Sequence, residues 1–197
     1  VREELSRESH IESVYRQVAH AFEGTPADRT PMFAAFLDVF RECSPVLDVG
    51  CGDGTFLEVM RSNGITGAGI DLDPVKVKQC SEKGFDVELA DLRDLEQQGR
   101  QFGGIMASHI IEHVEPRAAI EFFLTAFALL RSGGRLALLT PNIGFQPVIE
   151  NFWLDLTHVR PYPRALLVAM LQACGFAVIG NGVLGGMQDT YVVAQRP

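Results

Sequence analysis

The chain has 197 residues, with 17 Lys and Arg against 25 Asp and Glu, a formal net charge of -8. That is the length of one domain, and 47% hydrophobic with 21% charged residues is a folding composition that excludes a disordered chain. The acidic balance argues against a nucleic-acid partner, because such affinity rests on Lys and Arg neutralising phosphates.

Residues 4–22 carry Leu5, Ile11, Val14, Tyr15, Val18 and Phe22 at three- and four-residue spacing, the period of an amphipathic helix. A second helix is predicted from Pro31 to Arg41 through Met32, Phe33, Phe36, Leu37 and Phe40. Together these make residues 1–42 a helical cover ahead of a domain over 43–197. The pattern then changes. Apolar runs at 46–49, 66–70, 87–89, 102–107 and 135–140 alternate with helical segments near 54–63, 74–83 and 116–131. Such alternation implies βαβ units and a mostly parallel sheet covered on both faces.

The tail breaks that rhythm. A helix near 163–174 stops at Gly175, and FAVIGNGVL and DTYVVAQ follow so closely that they must pair antiparallel. The predicted fold is α/β: a doubly wound, mostly parallel seven-stranded sheet with a C-terminal antiparallel hairpin.

The segment Val46–Leu57 runs from a buried strand through Gly50, Gly52 and Gly54 into a helix. Glycines there permit positive φ and a close approach of backbone to ligand. The spacing is G-x-G-x-G, not the G-x-G-x-x-G of dinucleotide enzymes. Asp71 ends the next strand about 20 residues on, where a carboxylate can accept from both ribose hydroxyls. Asp91 follows the third strand at the same carboxyl edge, and either Asp can instead be a helix cap or turn residue. For Asp73, ahead of Pro74, the cap is the better reading.

VLDVGCGDGTFL, GAGIDLDP, ELADLRDL, SHIIEHV and LLRSGGRLALLTPN together resemble the class I S-adenosylmethionine-dependent methyltransferases, which have a Rossmann-like fold. The resemblance covers residues 46–197 and implies S-adenosyl-L-methionine as cofactor. It places Asp48, Gly50 and Gly52 at the methionine end of the cofactor, Asp71 on the ribose and Leu72 near the adenine. Asp91 would accept from the adenine amino group, and the Leu92 backbone would pair with a ring nitrogen. Cys51 and Ser108 join the expected cofactor-binding set, while Phe56 is expected to pack the helix on the sheet. Many relatives carry Asp near the start of the fourth strand, where this chain reads Phe102-Gly103-Gly104, so weaker local hydrogen bonding is expected there.

His109, Glu112 and His113 follow the fourth strand at relative positions 0, 3 and 4, one face of a helical turn. His158 follows the fifth strand at the same edge, whereas His10 and His20 read as solvated or packing residues. In one reading His109, His113 or His158 is the general base for an acceptor hydroxyl, since a histidine pKa lies near neutrality. In another, His109, Glu112, His113 and His158 hold a divalent cation, and a third makes them structural. The set is similar to the E-x-x-E-H plus distal His of metal-dependent RNA 2′-O-methyltransferases and ubiquinone-pathway O-methyltransferases, with His109 in place of the first Glu.

The stretch from Asp155 to Pro163 also resembles bacterial methyltransferases of surface-polysaccharide and O-antigen assembly. That likeness implies His158 and Arg160 near the acceptor, and Trp153 and Tyr162 are candidate pocket walls because aromatic faces stack on sugars or rings. Four cysteines without a C-x-x-C pair read as reduced thiols in a cytoplasmic protein. No apolar run approaches the roughly 20 residues that cross a bilayer, and the charged start is unlike a signal peptide. The expectation is therefore a cytoplasmic O-methyltransferase of a small-molecule or saccharide acceptor. A metal-assisted enzyme acting on a diol or ribose, and a non-catalytic cofactor-binding protein, are the alternatives.

Overall fold

A computed structural model describes residues 25–197, together with Arg7, His10, Ile11, Ser13, Val14 and Val18. Leu5, Tyr15, His20 and Phe22 lie outside the described residues. The six described positions ahead of Thr25 have helical backbone, and His10, Ile11 and Val14 are exposed.

The predicted helix over Pro31–Arg41 is instead two: α1 (Pro26–Ala34) and α2 (Leu37–Phe40). The start moves upstream because Thr25 and Asp28 form a reciprocal capping box and Pro26 takes the first turn. Then follow β1 (Val46–Val49), α3 (Thr55–Ser62), β2 (Gly67–Asp71), α4 (Pro74–Glu82), β3 (Val87–Leu89) and α5 (Leu92–Gln97). The second half holds β4 (Phe102–Ser108), a 3₁₀ turn over Ile111–His113, α6 (Pro116–Leu129), β5 (Leu130–Pro141), α7 (Gln146–Phe152), α8 (Arg164–Ala173), β6 (Ala177–Leu184) and β7 (Asp189–Gln195).

The strands form one seven-stranded sheet in the order β3-β2-β1-β4-β5-β7-β6. β1 to β5 pair in parallel, and β7 lies antiparallel to both β5 and β6. The doubly wound sheet with its terminal hairpin is thus as expected. The strand order reverses beside β1, between β2 and β4, which puts a crevice at the carboxyl ends of these strands.

Side chains divide by the two-residue period of a strand. Ile105, Leu136 and Leu138 face one layer with Leu95, Phe123, Leu167 and Leu171 of the helices. Met106, Ala137 and Leu139 face the other, with Phe33, Phe36, Phe40, Phe56 and Met60. Phe56 is buried and edge-on to Phe33 and Phe40, so it packs α3 against α1, α2 and the sheet as the sequence reading expected.

The Gly103 departure has a steric cause. A Cβ there would sit 2.2 Å from the Cys43 carbonyl oxygen, and the Gly103 N–H already donates to Pro45 O at 2.9 Å. The strand passes too near the β1 approach for any side chain, and its pairing with β5 shifts register between Phe102 and Gly104, the local weakening that the sequence suggested.

Candidate active site

A cavity of about 1020 Å³ opens at the carboxyl edge of the sheet, between α1 and the ends of β1, β2, β4 and β7. Its floor is the glycine loop. Gly50 and Cys51 both donate their N–H to Ile70 O, at 2.9 and 3.0 Å, which ties the loop to β2. Gly50 has φ 68°, and a Cβ on it would meet Ile110 Cδ1 at 2.3 Å, so only glycine fits. The Gly52 N–H donates to Asp71 Oδ2 at 2.9 Å, and the Asp73 N–H donates to Asp71 Oδ1 at 2.8 Å. Each Asp71 oxygen therefore accepts one backbone donor and keeps a lone pair for a ligand.

Asp48 is buried on the same wall, and burial, with the nearby Asp71 and Asp53 charges, pushes its pKa well up. Asp73 caps α4 through Val75 N at 2.8 Å, as its sequence context indicated. Asp91 caps α5, accepting from Arg93 N at 2.7 Å and Asp94 N at 3.2 Å. It also faces the cavity, so the cap and the ligand-facing position coincide. Burial opposes the Asp91 charge, but the Arg93 and Asp94 bonds outweigh it and lower the pKa.

All nine expected cofactor residues line this one cavity: Asp48, Gly50, Cys51, Gly52, Asp71, Leu72, Asp91, Leu92 and Ser108. The wall suits S-adenosylmethionine: a backbone cradle in which a Cβ on Gly50 would strike Ile110, and Asp71, whose oxygens keep lone pairs for ribose hydroxyls.

The opposite end is built from side chains. His109 closes β4 in a left-handed backbone, φ 54°, uncommon for a residue with a Cβ. Its Nδ1 lies 3.1 Å from Glu112 Oε1, and its Nε2 3.5 Å from Asp189 Oδ1. An ionised carboxylate only accepts, so Nδ1 donates to Glu112. Burial works against the His109 charge, but the Glu112 bond and charge, with Asp189, outweigh it and raise its pKa. Glu112 is fully buried; that burial is in turn outweighed by His109, and its pKa falls. Thr140 Oγ1 donates to its second oxygen at 2.9 Å.

His113 also lines the cavity, and His158 packs behind it at a ring-centroid distance of 4.8 Å. Thr157 Oγ1 donates to Asp155 Oδ1 at 2.6 Å, so His113 Nδ1 is the donor in its 2.7 Å bond to Thr157 Oγ1. His158 Nδ1 donates to Phe152 O at 2.5 Å. With Nδ1 donating, the ring atom of each that faces a ligand is Nε2. Ligand-capable atoms of Glu112, His113 and His158 lie within 4.8 Å of one another, and His109 is outside this group.

The expected acceptor-side residues Trp153, Arg160 and Tyr162 are absent from the cavity wall. Tyr162 is buried in the core, its hydroxyl donating to Val114 O at 2.8 Å, because its ring packs under the loop after β4. Arg160 lies 5.2 Å over the Tyr162 ring, and its backbone N–H donates to Glu112 O at 3.2 Å. Trp153 stands 60% exposed on the outer side of α7, edge-on to Phe152.

Sequence reasoning missed Asp189, Arg29 and Asp53, all on the wall. Arg29 of α1 pairs with Asp53 of the glycine loop at 2.5 Å, tying the cover to the floor. Burial opposes the Asp53 charge, but bonds from Thr55 and the Arg29 charge outweigh it and lower its pKa. The Asp within G-C-G-D-G was a visible signal; nothing near residue 189 marks a site.

Comparison with known proteins decides the class. Residues 15–180 match the family described as a methyltransferase domain. The chain belongs to that family. The chain thus carries a methyltransferase domain.

A S-adenosylmethionine-dependent methyltransferase structure from Archaeoglobus fulgidus superposes with TM-score 0.80 at 22% identity, covering 92% of this chain and 99% of that one. A second, a Burkholderia thailandensis 1,6-didemethyltoxoflavin-N1-methyltransferase with bound S-adenosylhomocysteine, gives 0.72 at 17%, covering 97% and 89%. These likenesses concern the fold. A tRNA (carboxymethyluridine(34)-5-O)-methyltransferase of Arabidopsis thaliana is 33% identical over 104 residues, 53% of this chain and 25% of that protein. A ubiquinone biosynthesis O-methyltransferase of Pseudomonas entomophila is 33% identical over 105 residues, 49% and 44%. The chain thus spans less than half the length of these two relatives.

Among the described residues, no helix is long and apolar enough to cross a membrane.

Proposed function

We propose that this methyltransferase acts on a hydroxyl oxygen of a small-molecule or saccharide-type acceptor, with His109 as the assisting base and His113 beside it. The observation that carries this reading is the placement of His109. Its Nδ1 is engaged by Glu112, its Nε2 faces the cavity that holds the cofactor residues, and its backbone is held in a strained conformation. The nine cofactor positions named above are proposed to serve as such, with Asp71 on the ribose. S-adenosylmethionine supplies a methyl group on a sulfonium, and the protein's task is to align the acceptor, exclude water and take one proton.

α1 contributes Arg29, Met32 and Phe33 to the wall, which supports residues 1–42 as the cover of a 43–197 domain. The net charge of -8 favours a small acceptor over RNA, and free thiols at all four cysteines suit a reducing cytoplasm. His158, turned onto Phe152 O, is proposed to orient His113. The O-linked chemistry in the names of the Pseudomonas and Arabidopsis relatives agrees with oxygen as the methylated atom.

Two measurements test this. Calorimetry should show S-adenosylhomocysteine binding near the micromolar range, about -8 kcal/mol, weakened at least roughly tenfold in Asp71→Asn. Release of S-adenosylhomocysteine should then be followed with phenolic and sugar hydroxyl acceptors. His109→Gln should lower kcat about 100-fold or more with the best acceptor. Full activity in that variant would end the histidine assignment.

A second reading has its own observation, the grouping of Glu112, His113 and His158, with both histidines donating outward through Nδ1. That is how histidines are held when Nε2 binds a metal. Zinc or nickel added to chelator-treated protein should then bind stoichiometrically and raise turnover; calorimetry without heat would end this reading.

A further inference from the structure

At the acceptor end the cavity has one carboxylate that no hydrogen-bond donor reaches among the described residues. Arg29, which also lines this end, is committed to Asp53 at 2.5 Å. His109 directs Nδ1 to Glu112. Asp189 remains: its side chain is only 14% exposed, it lines the cavity, and the described residues give its carboxylate no hydrogen bond, only the His109 Nε2 edge at 3.5 Å. A desolvated carboxylate without donors is costly, and a ligand that brings a donor removes that cost.

The position is built with care. Asp189 is the first residue of β7, in register with Pro141 at the end of β5 and Leu184 at the end of β6. The turn before it holds Gly185, Gly186 and Met187 at φ 58°, 65° and 77°. Asn142, buried just after β5, fastens that turn: its N–H donates to Gln188 O at 2.8 Å and its Nδ2 to Met187 O at 2.7 Å. Thr190 Oγ1 donates to Asn142 Oδ1 at 3.2 Å. Non-glycine residues in left-handed backbone occur at His109, whose Nε2 is 3.5 Å from Asp189 Oδ1, and at Met187, two residues before Asp189, and such strain collects at ligand sites.

We propose that Asp189 selects the acceptor: its carboxylate takes a hydrogen bond from a hydroxyl or ammonium group of a neutral or cationic acceptor and turns away carboxylated or phosphorylated ones. The assignment rests on the reading of the cavity as a methyl-transfer site and names the acceptor's chemical class. Two neighbouring groups of the acceptor would divide the work, one donating to Asp189 for binding and the other, the reacting hydroxyl, giving its single proton to His109 Nε2. An incoming carboxylate would meet Asp189 with Arg29 already engaged, and unrelieved like charges at close range are strongly unfavourable.

The test uses three sugars of one shape. Glucosamine, glucose and glucuronate are titrated onto protein saturated with S-adenosylhomocysteine, with binding read by ligand-observed NMR. Wild type should bind glucosamine at least about tenfold tighter than glucuronate, with glucose between. Asp189→Asn, nearly the same shape without the charge, should bring the two outer sugars within about twofold. Asp189→Ser serves as a second variant should the amide disturb the turn. Equal or better binding of glucuronate to wild type, a ratio that survives in both variants, or no binding of any sugar overturns the assignment. Wild type that takes no S-adenosylhomocysteine brings down the methyl-transfer reading beneath it, whereas loading without the sugar ratio brings down Asp189 alone.

Discussion

At the cofactor end of the cavity the ligand-facing groups come, Ser108 apart, from residues 48–92 and are set by backbone hydrogen bonds, Gly50 and Cys51 to Ile70 and Gly52 to Asp71. At the acceptor end they come from α1, the turn after β4 and the start of β7, and side chains hold one another: Glu112 between His109 and Thr140, Asn142 on the turn before Asp189. A backbone-built site depends on which positions can lack a Cβ, and tolerates exchange of many side chains around it. A side-chain network depends on every member, because one loss leaves buried polar atoms without partners. The first kind suits a constant cofactor, the second an acceptor that differs between enzymes.

The largest effect should come from breaking the backbone end. In Gly50→Val the new Cβ lies 2.3 Å from Ile110 Cδ1 at a φ of 68°, so Ile110 or the loop must shift and the backbone is strained. Strain and displacement together should weaken S-adenosylhomocysteine by about 1000-fold, roughly 4 kcal/mol. Calorimetry measures it, and binding within tenfold of wild type would show the loop to be adaptable.

That contrast also explains what could be read without coordinates. The glycine loop, Asp71 and Asp73 lie within 24 residues, and strand-turn-helix periodicity orders them in space. The doubly wound sheet followed from the same alternation, and the hairpin from the shortness of its loop. Two short helices escaped. α5 has only Leu92 and Leu95 as buried apolar positions, and its signal was the Asp91–Asp94 capping box. α7 buries Phe152 alone, behind Pro147. The acceptor end was legible only in part, since His109 and Glu112 share a local turn while Asp189 arrives through sheet register with β5. Tyr162 and Trp153 misled because an aromatic near a site has the same composition signal whether it lines the cavity, fills the core or stands outside.

A smaller effect should follow from breaking the side-chain end at Glu112. Glu112→Ala strands Thr140 Oγ1 and His109 Nδ1, and should cost about 3 kcal/mol of stability in urea unfolding. Its pH dependence follows from the signs. His109 is raised above its ordinary 6.5, so its contribution is complete below that value and is lost as pH rises through the folded pKa. Glu112 is lowered from 4.5, so its contribution is complete above that value and is lost as pH falls through the folded pKa. The stability gap between wild type and Glu112→Gln should therefore be widest between these two values and narrow as pH rises through the folded His109 pKa. A gap independent of pH would mean that the pair is held by shape alone.

The smallest effect tests where the two kinds of construction meet. Asp91 belongs to the backbone end by position, yet its carboxylate is engaged as a cap by Arg93 N and Asp94 N. Asp91→Ala removes the cap and should cost about 1 kcal/mol of stability, whereas Asn caps nearly as well and should cost only a few tenths. The cofactor reads the residue differently. An amide can turn its NH₂ toward a ligand donor, so Asp91→Asn should weaken S-adenosylhomocysteine by about fivefold although the helix start is kept. If Asn matches wild type in both stability and affinity, Asp91 acts on the cavity only through α5. The third strand would then contribute position and not recognition, leaving Asp71 as the acid that meets the ligand.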